Sequence, residues 1–165
     1  MNKRLITMTS AIAFFGVLTL VGCTGGDKQA SAQQAAPAKT IQWKLAMTWP
    51  DKLPPFADKV HRFAKNVGEM SGGRLTIRVD DKNKHKAALG ILDLVKSGQY
   101  EMGHSASYYW KGKDINMMPF TTMPFGMTTN EQDAWYYYGG GKELAKKVYD
   151  RHGVRNYQGG STGNQ

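Results

Sequence analysis

Cysteine is nearly absent from this chain: Cys23 is the only one in 165 residues. An internal disulfide framework and a thiolate metal cage are therefore excluded, and an apolar core has to hold the fold. Acidic residues are also scarce, 13 against 22 Lys and Arg, which leaves a net charge of +9. A basic chain attracts anionic solutes or anionic envelope polymers. Outside Lys82, Lys84, His85 and Lys86 the charge is dispersed, and the clustered basic and aromatic face of a nucleic-acid binder is missing, so no nucleic-acid partner is expected. That one basic cluster reads as a solvated loop. The grammar of catalysis is missing too. His61, His85, His104 and His152 are too scattered for a metal-ligand motif. Ser105 lacks a Gly-x-Ser-x-Gly elbow. Gly139-Gly140-Gly141 is not followed by the Lys-Ser or Lys-Thr pair of a phosphate loop and reads as a helix break. No base and nucleophile stand at a credible spacing, so the chain is not read as an enzyme.

What is present begins with one apolar run, Leu5 to Val21, behind Lys3 and Arg4 and interrupted by Thr7, Thr9, Ser10 and Thr19. A basic start, an apolar centre and small residues at its end are the pattern of an export signal rather than of a spanning helix. Leu20-Val21-Gly22-Cys23 resembles a bacterial lipobox. That resemblance implies that residues 1–22 are removed and that the Cys23 thiol carries diacylglycerol. The mature chain would then be tethered to the membrane from outside the cytoplasm, with a net charge lowered to +7 by the loss of Lys3 and Arg4. The following residues, rich in Gly, Ser, Ala and Gln with Pro37 near their end, have too few large apolar side chains to pack. Residues 23–40 are therefore read as a flexible tether.

From Ile41 onward, strand and helix patterns alternate. Ile41, Trp43, Leu45 and Met47 recur at every second position and predict a strand with those four on one face. After Pro54-Pro55, the residues Phe56, Val60, Phe63, Ala64, Val67 and Met70 recur at three and four, as on the buried stripe of a helix, which Gly72-Gly73 ends. Leu75, Ile77 and Val79 predict a second strand. Asp80 to Lys86 reads as a charged loop, Ala87 to Val95 as a short helix ending near Gly98, and Tyr100 to Ala106 as a third strand. Thr128 and Glu131 have capping-box spacing at the start of a helix through Tyr138. Lys142 to Arg151 is amphipathic through Leu144, Ala145, Val148 and Tyr149, and Val154 to Tyr157 reads as one more strand. This order predicts an α/β fold with a mostly parallel sheet flanked by helices. Such sheets bind ligands beyond the carboxyl ends of their strands, where the aromatic segments Thr48 to Leu53 and Ser105 to Lys111 fall.

Tyr108-Tyr109-Trp110 cannot place three rings on one core face, so at least one is expected to face a cleft. His104 and Ser105, at a strand end, are placed to touch a solute, whereas His61 reads as a solvated or core-edge imidazole. Met117, Met118, Met123 and Met127 lie among Pro119-Phe120 and Pro124-Phe125, without a nearby thiol or imidazole, and are read as packing.

Four segments then carry a family resemblance: Glu69-Met70-Ser71-Gly72-Gly73-Arg74-Leu75, Glu101-Met102-Gly103-His104 with Tyr108 to Lys113, Pro124-Phe125-Gly126-Met127, and Ala134-Trp135-Tyr136-Tyr137-Tyr138-Gly139-Gly140-Gly141. Together they resemble the extracytoplasmic solute-binding subunits of TRAP transporters, in the branch that binds 2-oxo acids. The resemblance covers Ile41 to Gln165. It implies a two-lobed periplasmic binding fold that closes on a small carboxylate, such as pyruvate or a related monocarboxylate, and hands it to the membrane permease subunits. It also implies an arginine fork for the carboxylate and a cation, sodium or calcium, that bridges the 2-oxo group to protein oxygens. On this reading Trp49, Tyr108, Tyr109 and Phe125 are the candidate ligand-binding residues, and Gln165, closing the Gly160-Ser161-Thr162-Gly163-Asn164 stretch, is the candidate metal ligand.

The chain departs from the family pattern at Asp80 to Lys86, where relatives carry a Gly-Glu-Leu-Val-Pro-like segment. The resemblance further places residues 41–165 in the first lobe alone, with the second lobe and its arginine outside the 165 residues. A lone lobe is expected to hold its solute several powers of ten more weakly, since closure buries the ligand from both sides. The rival reading is a single-lobe surface lipoprotein that serves as a protein-interaction or structural module.

Overall fold

The computed structural model describes residues 39–121 and 123–162. The candidate leader, Cys23, most of the tether and Gln165 lie outside the described residues.

Three parallel strands form the sheet, in the order β2-β1-β3. They are β1 (Ile41–Met47), β2 (Leu75–Asp80) and β3 (Met102–His104). Ile41 pairs with Leu75 and Ala46 with Asp80 on one side of β1, while Leu45 to Met47 pair with Met102 to His104 on the other. The helices are α1 (Phe56–Met70), the single turn α2 (Lys82–His85), α3 (Ile91–Lys96), α4 (Thr129–Tyr138) and α5 (Gly141–Asp150). Two 3-10 segments, Ser107–Trp110 and Ile115–Phe120, lie between β3 and α4. The α/β architecture expected from the strand and helix order is the one found.

Burial along β1 departs from simple alternation. Leu45, Ala46 and Met47 are all buried, whereas Ile41 is 50% and Trp43 38% exposed. The carboxyl half of β1 is paired on both edges and covered on both faces, so consecutive residues are buried there. Leu45 and Met47 join Ala57, Val60 and Val79 in one cluster beneath α1. Ala46 faces the opposite cluster, built on Ile91, Leu92, Trp110, Met117, Tyr136, Ala145, Val148 and Tyr149. Phe63, Met70 and Leu144 sit at the edges of their helical stripes and stay exposed.

The charged stretch after β2 is not a plain loop. Asp81 caps α2 by accepting from the Asn83 amide at 3.2 Å, and a left-handed Lys86 (φ 58°) ends it. The turn packs back because a His85 ring nitrogen lies 2.9 Å from the Met47 carbonyl. Asp80, almost fully buried, accepts from the Tyr100 hydroxyl at 3.0 Å and from Arg78 at 2.9 Å. These contacts hold its carboxyl below the usual range against the opposing effect of burial. Val154 to Tyr157 does not form a strand. The segment instead lines the cleft described next.

Candidate functional site

The carboxyl ends of β1 and β3 stand side by side. Met47 is in register with His104, the Thr48 amide donates to the His104 carbonyl at 3.0 Å, and the Thr48 hydroxyl donates to Ser105 Oγ at 2.6 Å. A cleft of about 750 Å³ opens beyond these ends, at the position where parallel sheets present ligand sites. Trp49, Phe56 and Lys59 line one side, while Met123 to Thr129 and Arg155 to Thr162 line the other.

Trp49 leaves β1 and stacks on Phe56 of α1, centroids 4.2 Å apart and planes 21° apart. Its other neighbour is His104, whose ring lies 5.2 Å away at 59°. Burial, and secondarily the Lys59 charge, push the His104 pKa down, which favours a neutral imidazole. Lys59 also donates to the Ser161 carbonyl at 3.1 Å, and the Thr129 and Ser161 hydroxyls meet at 3.1 Å. Residues 154–162 are thus tied both to α1 and to α4. Deeper in, the Ser107 amide donates to Thr121 Oγ1 at 3.1 Å, and the two hydroxyls are also hydrogen-bonded. Tyr136 donates to Asn156 Oδ1 at 2.9 Å.

Three of the four candidate ligand-binding residues, Trp49, Tyr108 and Phe125, line this cleft. Tyr109 does not. Consecutive residues of a 3-10 turn point about 120° apart, so Tyr108 faces the cleft while Tyr109 packs against the core. The two rings touch at 4.5 Å, and a hydrogen bond with Tyr109 together with burial pushes the Tyr108 pKa up to about 12. Trp110 is buried and donates from Nε1 to the Leu89 carbonyl at 3.2 Å. Cys23 and Gln165 lie outside the described residues.

Phe125 sits at the second corner of a tight turn closed by the Gly126 amide donating to the Met123 carbonyl at 2.9 Å. Its φ is 57° and its side chain is fully exposed on the cleft rim. Of the methionines read as packing, Met117 is buried in the core, but Met123 and Met127 are exposed on the same rim. The turn lifts them out. Lys59, Thr121 and the stretch 155–159 also belong to the cleft, and sequence reasoning missed them as site residues. A strand assignment for Val154 to Tyr157 hid the last of these, and a lone helical lysine carries no local signal. His61 is solvated beside Asp51 at 2.6 Å, as its helix position suggested.

Among the described residues, no group of three or more His, Cys, Asp or Glu converges as a metal cage. A hard cation also takes backbone and Asn/Gln carbonyl oxygens, so it does not require a cage of charged side chains.

Residues 45–163 match the family model described as bacterial extracellular solute-binding protein, family 7. The monocarboxylate 2-oxoacid-binding periplasmic protein of Nostoc sp. (strain PCC 7120) is 36% identical over 165 residues, covering 100% of this chain and 44% of its own length. A TRAP periplasmic solute-binding protein from Colwellia psychrerythraea, solved with bound calcium and pyruvate, is 64% identical, with a TM-score of 0.75 over 77% of this chain and 39% of that one. Another, from Pseudoalteromonas atlantica with bound sodium and pyruvate, is 65% identical, with a TM-score of 0.68 over 70% of this chain and 35% of that one. The chain therefore spans less than half the length of these relatives.

Proposed function

Because the chain belongs to family 7 of the bacterial extracellular solute-binding proteins, we propose that it serves in the periplasm as the solute-capturing subunit of a TRAP-type transporter, taking a small 2-oxo acid such as pyruvate. The observation that carries this reading is the cleft at the ends of β1 and β3. It combines an aromatic wall, Trp49 on Phe56, with polar groups at His104, Ser105 and Lys59. A small carboxylate with a short apolar tail suits that mixture, and the dispersed positive charge of the chain draws anions toward it. The role is capture and delivery to permease subunits in the membrane, not catalysis.

In this reading residues 1–22 are an export signal, Cys23 carries the lipid, residues 23–40 are the tether, and 41–165 are the first lobe. Trp49, Tyr108 and Phe125 supply aromatic contacts to the solute. A cation, calcium or sodium as in the related pyruvate complexes, would favour 2-oxo acids over plain acids, because the 2-oxo and carboxylate oxygens chelate it together. Gln165 is the oxygen donor proposed for it from this chain.

The test is thermal unfolding of the chain with increasing pyruvate, in calcium or sodium buffer, beside acetate as control. A binder gains stability in proportion to occupancy. Saturable stabilisation by pyruvate and none by acetate is the expected result. No response to pyruvate at tens of millimolar in either salt would overturn the reading and leave the interaction module in its place.

A further inference from the structure

Among the described residues, the His104 ring has no hydrogen-bond partner, although its own carbonyl is taken by Thr48. Neither ring nitrogen is sealed off, since Gln158 Oε1 is the one fully occluded and unpartnered side-chain polar atom among those residues. A half-buried imidazole has lost part of its hydration, and it regains that free energy only when a partner reaches it. Trp49, itself braced on Phe56, fixes the ring from one side. Lys59 places positive potential beside it.

Gly159 lies against the same ring. A methyl on its Cα would stand 3.4 Å from His104 Cε1 and 3.5 Å from Nδ1. Unlike its neighbour Gly160, with φ 136°, Gly159 has a backbone that any residue can adopt. Glycine at 159 is therefore not required by conformation, and it leaves room beside Cε1 and Nδ1 that a methyl would fill at ordinary contact distance.

We propose that Nδ1 of His104 is a specificity-determining contact of this lobe, donating its hydrogen to a carboxylate or 2-oxo oxygen of the bound acid through the opening left by Gly159. The inference rests on the reading of the cleft as a 2-oxo acid site. A neutral ring N–H suits that oxygen, and the Lys59 charge favours the anion without the ring having to be protonated.

The experiment is an NMR titration of the full chain with sodium pyruvate in calcium buffer, following the His104 Cε1–H and Trp49 indole N–H signals. In the wild type both signals should move with one common affinity. Gly159→Ala, which lays a methyl over Nδ1, and His104→Phe should each weaken binding about tenfold or more, whereas His104→Asn, whose amide nitrogen can take the place of Nδ1, should stay within about threefold. If pyruvate shifts Trp49 with wild-type affinity in both Gly159→Ala and His104→Phe, the His104 contact is wrong and the solute-binding function stands. If pyruvate shifts neither signal in the wild type, both fall. Should His104→Phe fail to fold, Gly159→Ala and the wild-type His104 shift decide the matter, since the added methyl meets only ordinary contact distances.

Discussion

Gly103 of β3 lies directly against Ile91 of α3: a Cβ at position 103 would stand 2.5 Å from Ile91 Cγ2 and 3.1 Å from Val95 Cγ2. That close approach lets α3 pack down beside Ala46, the register partner of Gly103. Gly103→Ala must push α3 away from the sheet and should cost about 1–3 kcal/mol, the usual penalty for overpacking a core. Denaturant unfolding measures it, and a cost below about 0.5 kcal/mol would show that α3 is not held so tightly.

The capping box of α4 can be tested by itself. Thr128 accepts from the Glu131 amide at 3.5 Å, and its own amide donates to Glu131 Oε2 at 2.8 Å. Thr128→Ala should cost about 1 kcal/mol. Amide exchange should quicken in the first turn of α4 and stay unchanged in α1.

Phe125 separates strain from burial. A left-handed φ costs a non-glycine residue about 1–2 kcal/mol, and the exposed ring returns nothing to the core. Phe125→Gly should therefore leave stability unchanged or raise it by up to about 1 kcal/mol. Phe125→Ala keeps the strained φ and should be neutral. Both should weaken pyruvate binding if the rim aromatic touches the solute, and calorimetry on the two variants reads that directly.

His104 sets a pH dependence whose sign follows from its environment. Its folded pKa lies below the ordinary histidine value of 6.5 because burial and Lys59 disfavour the charged ring. Below about pH 6.5 the unfolded chain then takes up the proton more readily than the folded one, so stability falls with falling pH from there through the folded pKa. Between about pH 7.5 and 5.5 the denaturation midpoint of the wild type should drop further than that of His104→Asn, which has nothing to titrate at this position. Equal drops would place the ring in an environment close to water.

How much of this was legible in the sequence depended on whether the signal was local. The period-two run Ile41 to Met47 and the helix Phe56 to Met70 appear with the expected bounds, as does the capping box at Thr128. A hydrogen bond or a steric rule acting within four or five residues decided each. Local pattern was silent on which of Tyr108 and Tyr109 turns outward, since a 3-10 turn, not a strand, carries them. It misplaced Met123 and Met127, because apolar composition looks the same on a rim as in a core. It also read β-branched and aromatic residues at Val154 to Tyr157 as a strand, although they pair with neither edge strand, β2 or β3.

The order of strands and helices, the parallel sense of the sheet and the family of this chain were determined by the sequence alone, because periodicity, glycine breaks and motif spacing are properties of neighbours along the chain. The cleft was decided by the tertiary structure. Residues 49, 59, 104, 125 and 159 converge there only because β1 and β3 end at the same level and the segment 154–162 is tied across from α4 to α1. Contacts between residues as much as 102 positions apart leave no trace in local pattern, so the open edge of His104 could be seen only once the chain was folded around it.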